Sequence, residues 1–193
     1  MKNTKRFFSL VMLAAIFFIF NNNASAQDKK DRPSPPATAT KEVGSAKVTI
    51  DYSSPAVKGR KIWNSEMVPY NQVWRTGANE PTKITLSEDV MVEGKELKAG
   101  TYALFTIPAE NEWTIIFNKN HQQWGAYDYS EDDDVLRVKA KPSKSKQMNE
   151  RMKFDIREKG NNKAEVVLSW ENLEVPFTLE SKKGGKKSGN KTK

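Results

Sequence analysis

Two stretches gather most of the side chains able to do chemistry. The first, Val68-Pro-Tyr-Asn-Gln-Val-Trp-Arg-Thr-Gly-Ala-Asn-Glu-Pro-Thr82, sets Trp74, Arg75, Asn79 and Glu80 around Gly77, with Pro69 and Pro81 at its shoulders. Arg75 offers a planar fork of donors that matches a carboxylate or a vicinal diol, and Trp74 a flat apolar platform beside it. Asn79 both donates and accepts. The second stretch, 118–134, adds Trp124 and Tyr127 within a run of turn-forming residues that reads as a long loop. Aromatic faces beside amide and guanidinium groups suit a sugar or a small acid. The expected ligand-binding set is therefore Trp74, Arg75, Asn79, Glu80, Trp124 and Tyr127. The same residues also have a purely structural reading. An Arg in a β-domain often lies over a Trp and pairs with a buried carboxylate, and Trp63 and Trp74 are suited to closing the ends of a sandwich.

Several chemistries are excluded by what the chain lacks. It has no Cys and one histidine, His121. Disulfides, thiol catalysis and zinc centres built on Cys or paired His fall away, and no metal or cofactor is expected. A Ser-His-Asp triad would need His121 as its base, yet His121 sits in the polar loop and no G-x-S-x-G elbow accompanies it. The run Asp132, Asp133 and Asp134 lacks the spaced ligands and terminal Glu of an EF-hand. Asp134 instead stands ready to pair with Arg75 or Arg137. Paired carboxylates for glycoside hydrolysis remain open, with Glu80 and Asp134 as the couple.

The net charge of +8 suggests nucleic acid until it is located. Lys2, Lys5 and Arg6 carry +3 of it and the stretch 181–193, with six lysines and no acid, carries +6, which leaves 27–180 at −1. A nucleic-acid binder carries its positive charge on a face of the folded domain, so no nucleic-acid partner is expected. The tail 181–193 reads as disordered and able to rest on an anionic surface. At the other end, a basic start, an apolar run from Phe7 to Phe20 and Ala24-Ser25-Ala26 form a signal peptide. Cleavage before Gln27 would leave a periplasmic or secreted chain with no transmembrane anchor. Residues 27–40 read as a linker, and 41–180 as one domain.

The elements that must position these residues are β-strands. Alternating or β-branched runs begin at Ala46, Thr82, Val90, Thr101, Trp113, Val135, Met152, Ala164 and Val175. That is about nine strands at the spacing of an antiparallel β-sandwich, jelly-roll-like in type. Hairpin turns are expected at Glu93-Gly94, 108–111 and 160–162. One short helical turn is expected over 144–151. The period of two turns Val48, Ile50, Ile84, Leu86, Tyr102, Leu104, Thr106, Ile115 and Phe117 inward, together with Phe154, Ile156, Val166, Leu168, Trp170, Phe177 and Leu179.

Read together, Ser54-Pro55, Gly59-Arg60, Val68-Pro-Tyr70, Val73-Trp-Arg-Thr-Gly-Ala-Asn-Glu80, Ala99-Gly-Thr-Tyr102 and Trp124-Gly-Ala-Tyr127 resemble the exported bacterial domain-of-unknown-function family 2911. The resemblance spans about 33–180 and departs from the pattern at Asn64, where a Gly is common. It implies an exported, mainly β domain and carries no catalytic role with it. Three classes of function stand: a binding module for a small polar or carbohydrate ligand, a glycan hydrolase using paired carboxylates, and a structural envelope-interaction protein. The binding module is the expectation taken forward.

Overall fold

A computed structural model describes residues 31–182. The expected signal peptide, the first residues of the expected linker and nearly all of the lysine-rich tail lie outside the described residues. The chain divides after Arg32, and the second unit carries the whole fold. Ten strands follow in order: β1 Pro36–Val43, β2 Ala46–Ser53, β3 Thr82–Leu86, β4 Val90–Val92, β5 Lys95–Leu97, β6 Gly100–Ile107, β7 Trp113–Asn118, β8 Asp134–Ala140, β9 Ser143–Glu158 and β10 Lys163–Ser181. They make two antiparallel sheets, β1-β2-β3-β6-β7-β8 and β5-β4-β10-β9. Among the described residues no helix is long and apolar enough to cross a membrane.

The sandwich forms because each sheet has one apolar face. Val48, Ile50, Ile84, Leu104, Ile115 and Phe117 of the first sheet pack on Val90, Val92, Phe154, Val166, Leu168 and Phe177 of the second. Phe117 and Phe177 meet edge to face across the layers, ring centroids 5.9 Å apart. With no disulfide in the chain, this apolar burial is the main source of stability. Turn chemistry fits the hairpins as read. Glu93 (φ 47°) and Gly94 (φ 77°) make the two-residue turn of β4–β5, whose paired left-handed positions match the twist of the strands.

The chain departs from the sequence reading in three places. Residues 36–40 are strand rather than linker: β1 pairs with β2 along its full length, Pro36 with Ser53 through Val43 with Ala46. Pro36 is tolerated because it is the first residue of an edge strand. Residues 144–151 are strand rather than helical turn. Their polar side chains have no strong preference, and pairing decides: Leu173 faces Lys144, Glu171 faces Asn149, and Ala56 bridges Arg151 on the other side. Finally, the runs beginning at Ala164 and Val175 are one strand, β10. A bulge at Glu171 (φ 51°) bends it without ending it. Pro176, which cannot donate, falls in the gap after β10 leaves β9 at Glu174 and before it joins β4 at Leu179.

Candidate functional site

The Trp74–Glu80 string owes its shape to a break in a strand. Trp74 makes an antiparallel bridge with Thr106, N–H to carbonyl in both directions at 2.7 and 3.0 Å. The next register pair on that row is Thr82 with Leu104. The seven residues 75–81 therefore stand where an unbroken strand would have one. Thr82 closes the excursion, its N–H donating to the Arg75 carbonyl at 3.2 Å and its hydroxyl to the Thr76 carbonyl at 2.7 Å.

Most of the string serves the fold. Trp74 is 5% exposed and lies in a four-tryptophan cluster, stacked on Trp170 at 6.1 Å and edge-on to Trp63 and Trp113 at 6.3 Å. Its indole is core and offers no platform to a ligand. Thr76 is fully buried with φ 56°, a backbone state that a β-branched residue adopts only under constraint. Its hydroxyl lies 3.2 Å from both the Trp74 carbonyl and the Thr106 hydroxyl, its one proton going to one of the two. A Cβ on Gly77 would meet the Ser53 carbonyl and the Thr82 hydroxyl at 3.2 Å, so only glycine fits that turn without a shift. Asn79 (φ 58°) spends its amide on the Ser34 carbonyl and the Ser53 hydroxyl, both 3.1 Å away. Glu80 is half-buried on the returning limb.

Arg75 differs from its neighbours. Trp74 turns inward at its bridge to Thr106, and Val73 before it turns to the outer face of the six-stranded sheet. Val73 does pack there, against a cluster of Ala103, Phe105 and Ile116. The Arg75 Nε is buried and donates to nothing, and among the described residues no carboxylate pairs with the guanidinium. Other arginines of the domain are satisfied: Arg60 by the Ala56 and Val57 carbonyls, Arg151 by the Ser54 carbonyl, Arg157 by Glu174 and Arg137 by Asp134.

The loop that carries Trp124 and Tyr127 covers the same face. Ala126 and Tyr129 pack on the Ala103–Phe105–Ile116 cluster, Tyr129 meeting Phe105 edge-on at 5.1 Å. Trp124 and Tyr127 turn to solvent, 52% and 83% exposed. Gly125 (φ 61°) makes this possible, because the Tyr127 ring passes 3.2 Å from where its Cβ would be.

Asp134 clasps the far end of the loop. Its Oδ1 accepts from Asn118 Nδ2, and its Oδ2 from the Tyr129 hydroxyl and Arg137 Nε, each at 2.7 Å. Burial first, then the hydrogen bond to Asp134, pushes the Tyr129 phenol up to about 12, against the pull of Arg137. Desolvation alone would lower Arg137, but its bonds to Asp134 and Tyr129 outweigh it and hold the guanidinium charge firmly. With both oxygens committed and the side chain 6% exposed, Asp134 is poorly placed to act with Glu80 as a catalytic pair. Of its two foreseen partners, the fold gives it Arg137.

His121 lies in the same loop with its Nδ1 buried and unpartnered. No group of three or more His, Cys, Asp or Glu able to hold a metal occurs among the described residues. Sequence reasoning singled out Arg75, Trp124 and Tyr127 as ligand-binding candidates. It did not single out Asn118 and Tyr129, which no local motif marks as partners of Asp134.

Comparison with curated proteins and with solved structures returns no match. A family model described as "Protein of unknown function (DUF2911)" matches residues 34–179, nearly the whole described domain, and the chain belongs to that family.

Proposed function

We propose that this domain is the binding module of an exported protein, taking a small polar ligand, a carbohydrate or a small acid, on the outer face of the six-stranded sheet. Arg75 supplies the directional donors to a carboxylate or a diol, and Trp124 and Tyr127 supply aromatic surface. Trp74 and Asn79 belong to the scaffold that holds Arg75 in place, and Glu80 flanks it. The observation that carries the reading is the buried, unsatisfied Nε of Arg75. A buried N–H left without an acceptor costs free energy that a ligand oxyanion or hydroxyl reaching it would recover. The exposed Trp124 and Tyr127, on the loop whose Ala126 and Tyr129 pack on that face, would give the ligand something to lie against. A hydrolase gains no such support, because Asp134 is committed to its clasp. Export rests on the signal-peptide pattern of the first 26 residues, and recovery of the chain from the cytosol with its first 26 residues intact would refute it.

A thermal-shift screen of the purified protein against neutral sugars, sugar acids and small carboxylic acids tests the binding claim. The expected result is a saturable rise in midpoint with one class of ligand, lost in Arg75→Gln and reduced in Trp124→Ala and Tyr127→Ala. A rise that survives Arg75→Gln, or a panel with no stabilising member, would overturn it.

A further inference from the structure

A second concave surface lies where open edges of the two sheets come together. β8 ends the six-stranded sheet and β5 ends the four-stranded one. Between them runs a groove of about 480 Å³ lined by Glu93, Lys95, Thr114, Arg137, Val138 and Lys139. That volume falls within the range of small-molecule sites, and a lining of four charged side chains, one hydroxyl and one valine selects for a polar occupant.

The charges are not balanced within the groove. Its single carboxylate, Glu93, is turned toward β10, where Oε1 accepts from the Thr178 N–H. Lys139 holds Glu112 at 3.3 Å, an exposed pair of the kind that adds little and exchanges readily. Lys139 also donates to the Thr114 hydroxyl at 3.1 Å, which leaves the Thr114 O–H free to donate in turn. Arg137 is shared between Asp134 and the exposed Glu131. Lys95 has only a long contact, 3.4 Å, to the Arg137 carbonyl, and among the described residues no carboxylate pairs with it. The groove thus offers an under-used ammonium, a second ammonium in a weak pair and a hydroxyl donor, all lining one cavity.

We propose that this groove is an oxyanion site, distinct from the Arg75 face, which takes the phosphate, sulfate or carboxylate group of a small polar molecule or saccharide unit. Lys95 and Lys139 hold the anion from two sides and the Thr114 hydroxyl donates to it. Glu112 gives up Lys139 when the ligand arrives. Two charge-assisted contacts are strong enough to localise an anion and weak enough to be lost in high salt.

An amide-resolved NMR titration of the purified protein with sodium phosphate, sodium sulfate and sodium glucuronate, at constant ionic strength, tests the site. The expected result is saturable shifts at Lys95, Thr114, Val138 and Lys139. The Lys95→Gln/Lys139→Gln double variant should weaken the affinity about tenfold or more. Both lysines are exposed, so the variant should keep the parent's thermal midpoint. Arg75→Gln should leave the titration unchanged, which separates this site from the first. Tighter binding of glucuronate than of phosphate or sulfate assigns the site to an acidic saccharide, and the reverse order to a free inorganic anion. Shifts that never saturate, or that persist unaltered in the double variant, would overturn the proposal.

Discussion

The string Trp74–Glu80 is one motif in sequence and two kinds of residue in space. Trp74, Thr76, Gly77 and Asn79 bond or pack into the domain, whereas Arg75 is half-buried with its Nε left unspent. Its importance was legible, because seven irregular residues of mixed chemistry do not arise from strand alternation. Their division was not legible, because which side chains turn inward depends on a break in register that leaves no periodic trace. The division predicts unequal costs. Gly77→Ala pushes a methyl against the Ser53 carbonyl and the Thr82 hydroxyl, and should lose about 1–3 kcal/mol. Asn79→Ala strands the Ser34 carbonyl and the Ser53 hydroxyl and puts alanine at a left-handed position, and should lose a similar amount, about 1–3 kcal/mol. Urea unfolding of the two variants checks this. Midpoints equal to the parent's would mean that the string is not scaffold.

At the scale of elements, the loop between β7 and β8 is held by two devices, the apolar footing of Ala126 and Tyr129 and the Asp134 clasp. The sequence marked the loop by length and composition. It marked Arg137 as one candidate partner of Asp134, but not Asn118 of β7 or Tyr129 of the loop, which complete the clasp. The clasp gives a sign to the alkaline response. Tyr129 in the fold is pushed from the ordinary 10.0 up to about 12, so the fold prefers its neutral phenol. That preference is fully present below pH 10 and is withdrawn as pH rises from 10 toward 12. Tyr52, Tyr70 and Tyr102 are raised too, chiefly by burial, and add in the same direction. Stability should fall over that window, and Tyr129→Phe should fall less steeply than the parent. Identical pH profiles for the two proteins would remove Tyr129 from the account. The helical turn expected over 144–151 failed for a related reason. A polar stretch without preference takes the structure its neighbours impose, and β10 with the 55–57 segment imposed a strand.

For the whole molecule, burial between two sheets supplies stability that no disulfide provides, and alternation marked part of the set that supplies it. The inward set foreseen from period two lies in the observed core, with Ile156 at its margin, but the core also takes in Ile62, Val68, Trp74, Trp113 and Met152, which that set lacks. The N-terminal boundary was missed because Pro, Ala and Thr are common in linkers as well as at strand edges. Residues 33–35 are part of the domain: the Pro33, Ser34 and Pro35 carbonyls accept from Arg151, Asn79 and the Ser54 N–H. A chain trimmed to residues 41–180 should therefore lose more than about 3 kcal/mol against one that keeps residue 33 onward. Equal stability of the two would show that β1 is dispensable. If Arg75 is kept for a ligand, the scaffold stands without its side chain. Urea unfolding of Arg75→Gln in ligand-free buffer tests that most directly. A stability within about 0.5 kcal/mol of the parent is expected, since the side chain gives up no bond within the fold. A loss of more than about 2 kcal/mol would contradict it and return Arg75 to the structure.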